Sequence, residues 1–202
     1  FAAKEKISCF SSPFSVEAVD FLEKFNPKFY KIASFEITDL PLIKRVAETS
    51  KHIIISTGMA NLSEISAAFN CAQKYGAKKI TLLYCVSNYP AKIEDFNLNN
   101  ISFLKKKFNC SVGLSDHCND PKLAFASILA GADFLEKHIA LREDTTAPDY
   151  KFSIKDKEIL QYRKSIDEAH KLMGKKFFYI NNNSKKNKIF RRSIYVVKDI
   201  NF

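Results

Sequence analysis

Glycine and proline are scarce in this chain, 5 and 6 among 202 residues, and that scarcity excludes a disordered or fibrous polymer. With 46% of residues hydrophobic, the chain has enough apolar surface for one well-buried core. No apolar run reaches the length of a membrane span. Nor does a basic segment followed by an apolar stretch and a small-residue cleavage site mark a secretory leader. The five cysteines, at positions 9, 71, 85, 110 and 118, are odd in number and include no CxxC pair. Cys9 and Cys85 lie in strand-like runs, which suits reduced thiols in a cytoplasm better than a disulfide framework. An initiator methionine is also missing. The sequence opens FAAKEK and stops at VVKDINF inside a strand-like pattern, so it reads as a piece of a longer chain.

Acidic residues are in deficit, 22 against 32 Lys and Arg, giving a net charge of +10. Such a charge invites a nucleic-acid partner, but its location argues otherwise. Residues 171–202 carry nine Lys/Arg against one Asp, a net of +8, which leaves +2 for residues 1–170. A solvated basic tail and a small anionic substrate account for the charge without nucleic acid or membrane.

Short runs rich in Ile, Val and Phe recur as KISCFSS (6–12), FYKIAS (29–34), HIIIST (52–57), ITLLYCV (80–86), SVGLSD (111–116) and DFLEKHI (133–139). Helical patterns lie between them: VEAVDFLEKF, LPLIKRVAET, NLSEISAAFNCAQKYG, ISFLKKKF and KLAFASILAG. Six strands alternating with helices predict an α/β fold with a buried parallel sheet. Nearly every strand ends in a chemically capable group: Ser11-Ser12, Lys31 with Ser34 and Glu36, Ser56-Thr57, Ser87-Asn88, Ser115-Asp116-His117 and Lys137-His138. An open sheet gathers ligand contacts at one switch point, whereas a (β/α)8 TIM barrel uses almost all its carboxyl ends, so the pattern favours the barrel. Six strands are two short of closure, and the first two are expected before Phe1. A long amphipathic helix over 154–174 ends the barrel unit (1–174), residues 175–188 read as a linker, and 189–202 open a second, β-rich unit.

Only four histidines are present. His117 and His138 end consecutive strands, where imidazoles can share a divalent cation, and Asp116 and Glu136 are placed to hold their rings. His52 begins a strand at the opposite end, and His170 lies on the last helix. Lys31, inside an apolar run, suits either an anion site or a Schiff base, with a snorkelling surface lysine as the bland alternative. Glu36 can serve as a base or merely open a helix. Asn61 and Glu64 have the spacing of a capping box.

Taken together, FSSPF (10–14), YKIASFEITDLPLI (30–43), IIISTGM (53–59), CVSNYP (85–90), GLSDH (113–117), EKHI (136–139), APDYKFS (147–153) and FRRSIYVVKDI (190–200) resemble the sialic-acid synthase family. These enzymes condense phosphoenolpyruvate with an N-acetylated amino sugar. The resemblance implies a (β/α)8 barrel, here with strands 3 to 8, followed by a small antifreeze-like β domain that begins at 189. It implies a divalent metal, foremost Mn2+ with Mg2+ or Co2+ as alternatives, held by His117 and His138. It places phosphoenolpyruvate on Ser12, Lys31, Ser34, Ser56, Ser87 and Ser115, the water-handling base at Glu36, and the sugar near Tyr89 and Asp149. A head-to-tail homodimer would bring Arg192 to the partner's site.

The wording of the motifs departs from the commoner YKIGSGE and from a glycine before PD. IASFEITDLPLI, TLLYCVSNYPAKIED and PDYKFS are most similar to pseudaminic acid synthases, which implies 2,4-diacetamido-2,4,6-trideoxy-altrose as acceptor, with legionaminate and N-acetylneuraminate synthases sharing the chemistry. A lysine and an asparagine that the family supplies from its first two strands have no counterpart in these residues. A barrel of these 202 residues alone is therefore expected to stay open and inactive.

Overall fold

The computed structural model describes residues 1–175, 179–195 and 197–199. Five strands form one all-parallel sheet in the order β1-β2-β3-β4-β5: Phe29–Ile32, His52–Ser56, Lys79–Cys85, Ser111–Asp116 and Leu135–Lys137. Helices α1 (Val16–Glu23), α2 (Leu40–Glu48), α3 (Leu62–Lys74), α4 (Asn99–Phe108), α5 (Lys122–Leu129) and α6 (Lys157–Met173) alternate with them. An uninterrupted strand order has no switch point, which removes the doubly wound alternative. The first three helices start at a capping side chain, Ser15, Asp39 or Asn61. Ser15 accepts from the Ala18 N–H, and Asn61 and Glu64 form the reciprocal capping box at α3.

The sheet is curled. Flat, it would hold β1 and β5 about 19 Å apart, four strand spacings of about 4.8 Å. Yet Lys31 on β1 reaches Glu136 on β5 at 3.1 Å, and at the other end the rings of His52 and Phe134 stand 6.1 Å apart. Gly113 permits part of this closeness, because a Cβ there would fall 2.3 Å from the Phe134 carbonyl oxygen and 2.8 Å from Leu83 Cδ2. The result is an arc of a (β/α)8-like barrel. Its outward positions, Tyr30, Ile32, Ile53, Ile55, Leu82 and Val112, are fully buried in the apolar core shared with the helices.

Three details differ from expectation. The stretch 6–12 is not a strand: a single parallel bridge joins Ser11 to Tyr30, with the Lys31 N–H donating to the Ser11 carbonyl at 3.3 Å. Ile7 and Phe10 remain exposed there, so the apolar pattern has only one sheet neighbour to pair with and no layer to pack on. Inside the expected linker, Asn182–Lys186 forms a short helix, α7. Among the described residues of 189–199 a 3-10 turn (Asn187–Phe190) is followed by irregular exposed chain without a strand, so no separate β segment stands there; 196 and 200–202 of the expected β unit, and 176–178 of the linker, lie outside the described residues. Among the described residues no helix is long and apolar enough to cross a membrane.

Candidate active site

Side chains alternate across each strand, so the register decides which residues share the concave face. Lys31 is level with Ile54 and Thr81, Ser56 with Leu83 and Gly113, and Cys85 with Ser115 and Glu136. Of these, Lys31, Ser56, Ser115 and Glu136 lie toward the carboxyl ends of the strands. They line a cavity of about 850 Å3 together with Ser12, Ser34, Glu36, Tyr89, His117, His138 and Asp149.

Lys31 and Glu136 anchor its floor. The Lys31 Nζ donates to Glu136 Oε1 at 3.1 Å, and Ser115 Oγ donates to the same oxygen at 2.6 Å. The sequence predicts Glu136 behind His138. Instead it crosses the arc to a lysine 105 residues away, because the curl brings β5 opposite β1. Lys31 is only 8% exposed, so the surface-lysine alternative does not hold.

Ser34 opens a 3-10 turn (Ser34–Glu36) after β1. Its Oγ accepts from the Gly58 N–H at 3.2 Å and lies 3.1 Å from Cys85 Sγ. A Cβ on Gly58 would fall 2.1 Å from Ser87 Oγ, 2.7 Å from Cys85 Sγ and 2.8 Å from Ser34 Oγ, so only glycine lets these groups meet. Ser56 Oγ and Glu36 Oε2 are buried without a hydrogen-bond partner in the protein. Buried polar atoms are seldom left so, and two of them in the wall of one cavity point to a ligand that supplies the missing partners. Burial chiefly, helped by Asp39, raises the Glu36 carboxyl above its ordinary value, against its own backbone N–H and Lys31.

The two strand-end imidazoles stand 5.3 Å apart, centre to centre. His117 Nδ1 lies 2.9 Å from the Val86 carbonyl, which can only accept, so that nitrogen carries the hydrogen. Burial first, and the neighbouring His138 second among the lowering effects, hold the His117 pKa below its ordinary value, outweighing Val86, Glu136 and Asp116. His138 Nδ1 faces Asp149 Oδ2 at 3.1 Å. The pair fits a divalent cation, since each Nδ1 has an oxygen acceptor and each Nε2 keeps its lone pair. Among the described residues no group of three or more His, Cys, Asp or Glu gathers for a metal. Asp116 does not support the His117 ring as expected. Its carboxylate accepts from the Cys118 N–H at 2.8 Å and from Tyr162 at 3.1 Å and pairs with Lys137 at 3.3 Å, tying β4 and β5 to α6.

Ser87 is absent from the cavity lining and packs behind Gly58, while Arg192 lies in exposed chain after the last 3-10 turn, also apart from the cavity. His52 bonds Thr81 at 2.9 Å at the far end of the sheet, and His170 is exposed. Residues not singled out from the sequence also form the site. Phe10, Phe14 and Phe35 join the lining, and Phe152 packs against both Tyr89, at 5.2 Å, and His138, at 5.0 Å, while Tyr89 itself meets His117 at 4.4 Å. Their signal, an aromatic beside a polar strand end, is shared with ordinary core residues.

A model described as the NeuB family matches residues 1–177. The chain is 40% identical over 202 residues to an N,N'-diacetyllegionaminic acid synthase of Campylobacter jejuni, covering 98% of this chain and 60% of that protein. It is 39% identical over 200 residues to a pseudaminic acid synthase of Helicobacter pylori, covering 98% and 59%. Among solved structures, the N-acetylneuraminic acid synthetase of Leptospira borgpetersenii, in complex with citrate, superposes with a TM-score of 0.87 at 28% identity, over 94% of this chain and 66% of that one. The chain thus spans about 60% of the length of the curated relatives it matches.

Proposed function

Because this chain belongs to the NeuB family, we propose that it works as a nonulosonic acid synthase, joining phosphoenolpyruvate, an acetamido sugar and water into a nonulosonic acid and phosphate. The observation that carries the reading is the meeting of Lys31, Ser34, Ser56, Ser115, Glu36 and two imidazoles on one concave wall that leaves buried oxygens unpartnered. Our preferred acceptor is 2,4-diacetamido-2,4,6-trideoxy-altrose, on the wording of IASFEITDLPLI and PDYKFS. Identities of 40% to a legionaminic and 39% to a pseudaminic acid synthase favour neither acceptor.

In this reading Lys31 and the hydroxyls of Ser12, Ser34, Ser56 and Ser115 hold the phosphate and carboxylate as preorganised donors, with Ser87 supporting them. The incoming anion takes over Lys31 from Glu136. Tyr89 and Asp149 face the sugar, whose open-chain aldehyde lies within reach of C3 of phosphoenolpyruvate. A divalent ion on His117 and His138, Mn2+ foremost and Mg2+ or Co2+ otherwise, would supply Lewis acidity toward a substrate oxygen. As C3 bonds to the aldehyde carbon, the aldehyde oxygen becomes an alkoxide, later neutralised by the proton that Glu36 takes from water, and C2 gains oxocarbenium character. Glu36 orients a water and takes its proton as it adds to C2, a role that a raised carboxyl pKa suits. The C2–O bond to phosphate then breaks, and phosphate leaves with the bridging oxygen.

A Schiff-base aldolase is disfavoured by the Lys31–Glu136 ion pair, since a free amine is the nucleophile such chemistry needs. The full assembly is proposed as a cytoplasmic homodimer in which residues 189–202 begin an antifreeze-like domain and carry Arg192 to the partner's site. Free thiols at all five cysteines suit that compartment. The test is phosphate release from phosphoenolpyruvate with Mn2+, by protein expressed from its uninterrupted reading frame, against three acceptors: the altrose, the legionaminic precursor and N-acetylmannosamine. Dependence on the altrose supports the preferred acceptor, preference for another moves the protein within the family, and acceptor-independent or absent release sinks the synthase reading.

A further inference from the structure

Residues 147–154 form a turn whose C-terminal end is fixed beside β5. The Ile154 N–H donates to the His138 carbonyl at 2.9 Å and the Ala140 N–H to the Ile154 carbonyl at 3.1 Å, while Asn119 Nδ2 donates to the Lys151 carbonyl at 3.1 Å. Within the turn, the Asp149 carbonyl accepts from the Phe152 N–H at 3.2 Å, the Ser153 N–H at 3.1 Å and Ser153 Oγ at 2.7 Å. These bonds set the backbone of Asp149 and Phe152 beside His138. Asp149 Oδ2 lies 3.1 Å from His138 Nδ1. The Phe152 ring, 5% exposed, meets His138 at 5.0 Å with the planes at 78°, and His117 at 6.2 Å and 83°.

We propose that Asp149 and Phe152 are positioning residues for His138: the carboxylate fixes the hydrogen on Nδ1, and the ring fixes the imidazole plane, so that the Nε2 lone pair is presented toward the cavity it shares with His117. The inference rests on the reading that these two imidazoles hold a divalent cation. It differs from a sugar contact by Asp149, which its second oxygen leaves open. A neutral imidazole without an acceptor on Nδ1 divides between two tautomers, and only one of them offers Nε2 as a donor atom. His117 is served by the Val86 carbonyl, which no side-chain substitution removes. His138 depends on a side chain, so its orientation is the one that mutation can release. The perpendicular rings of Phe152 and His138 block the imidazole from turning about its outer bond.

The experiment reads the metal-free protein as well as the loaded one. Long-range 15N spectra of histidine-labelled protein report the His138 tautomer, and Mn2+ affinity is read by electron paramagnetic resonance. The wild type is expected to show His138 protonated on Nδ1 alone. Asp149 is more than half exposed, so Asp149→Ala keeps the fold, and it is expected to mix the tautomers and weaken Mn2+ binding about 10- to 100-fold. Asp149→Asn, whose amide oxygen still accepts, restores the single tautomer and most of the affinity; a purely structural role would give no such rescue. Phe152→Leu keeps the tautomer and weakens Mn2+ several-fold. An unaltered His138 tautomer in Asp149→Ala, with Mn2+ affinity within twofold of wild type, overturns the inference. If the wild type binds no Mn2+ while Asp149→Ala still releases the tautomer, the metal reading fails and the positioning contact stands.

Discussion

The two faces of the curled sheet come from alternate residues of the same strands, and they differ in what they leave unsatisfied. Outward residues such as Ile32, Ile53, Ile55 and Leu82 are fully buried among helix side chains. Inward residues at the carboxyl ends are also largely buried, yet they are polar: Lys31, Ser34, Ser56, Ser115 and His117. Burial without an apolar contact or a complete set of hydrogen bonds costs free energy, and the inward face carries that cost at Ser56 and Glu36. Stability therefore resides in the outward face. The inward face is where stability is given up to keep donors and acceptors available.

The faces should part most widely under Lys31→Ala. Its removal takes a buried cation from the wall, and use of phosphoenolpyruvate is expected to fall about 100- to 1,000-fold, the scale for deleting one preorganised donor. Near-normal steady-state kinetics in that variant would erase the distinction. On the outward face, Ile55→Ala should cost about 2–5 kcal/mol in urea unfolding through the cavity it leaves, with substrate affinity unchanged in the protein that remains folded. Gly58→Ala probes the boundary between the faces. Its new methyl would press on Ser87, Cys85 and Ser34, and we expect a loss of about 1–3 kcal/mol together with weaker phosphoenolpyruvate binding.

A smaller effect is expected from pH. Because burial holds the His117 pKa below the unfolded value, its contribution to stability is present above the ordinary histidine range and is lost as pH falls through that range toward the folded value. Thermal melts should thus weaken from pH 7 toward 5.5, and His117→Gln should flatten that slope. The smallest change in stability belongs to Ser56→Ala, neutral or slightly stabilising, since its buried hydroxyl has no protein partner to lose. A substantial loss would mean that the hydroxyl already serves the fold.

Much of this contrast was legible in the sequence because buried parallel strands read as apolar runs and their ends as polar punctuation. Lys31, Ser34, Ser56, Ser115, His117 and His138 could be picked out as strand-end groups, and the cavity gathers them. What pairs with them could not. The Lys31–Glu136 contact depends on curl, a property of the whole sheet, and the Val86 carbonyl that orients His117 has no side-chain signature. The same apolar signal overstated 6–12, where Ile7 and Phe10 are exposed, since a pattern records a capacity to pair and not the presence of a neighbour. The neighbours of His138, Asp149 and Phe152, lie in a turn whose path back to β5 is set mainly by bonds to backbone carbonyls, which carry no side-chain signature.

On the proposed function, the inward face would hold phosphoenolpyruvate as a carbon nucleophile and release its phosphate by C–O cleavage. The most direct measurement uses phosphoenolpyruvate carrying 18O in the bridging position, with Mn2+, acceptor sugar and protein from the uninterrupted reading frame, and follows the label by mass spectrometry. Acceptor-dependent release of phosphate that retains the bridging 18O is expected, abolished by Lys31→Ala. Label left on the carbon product, or no acceptor-dependent release from folded, metal-loaded protein, would contradict it.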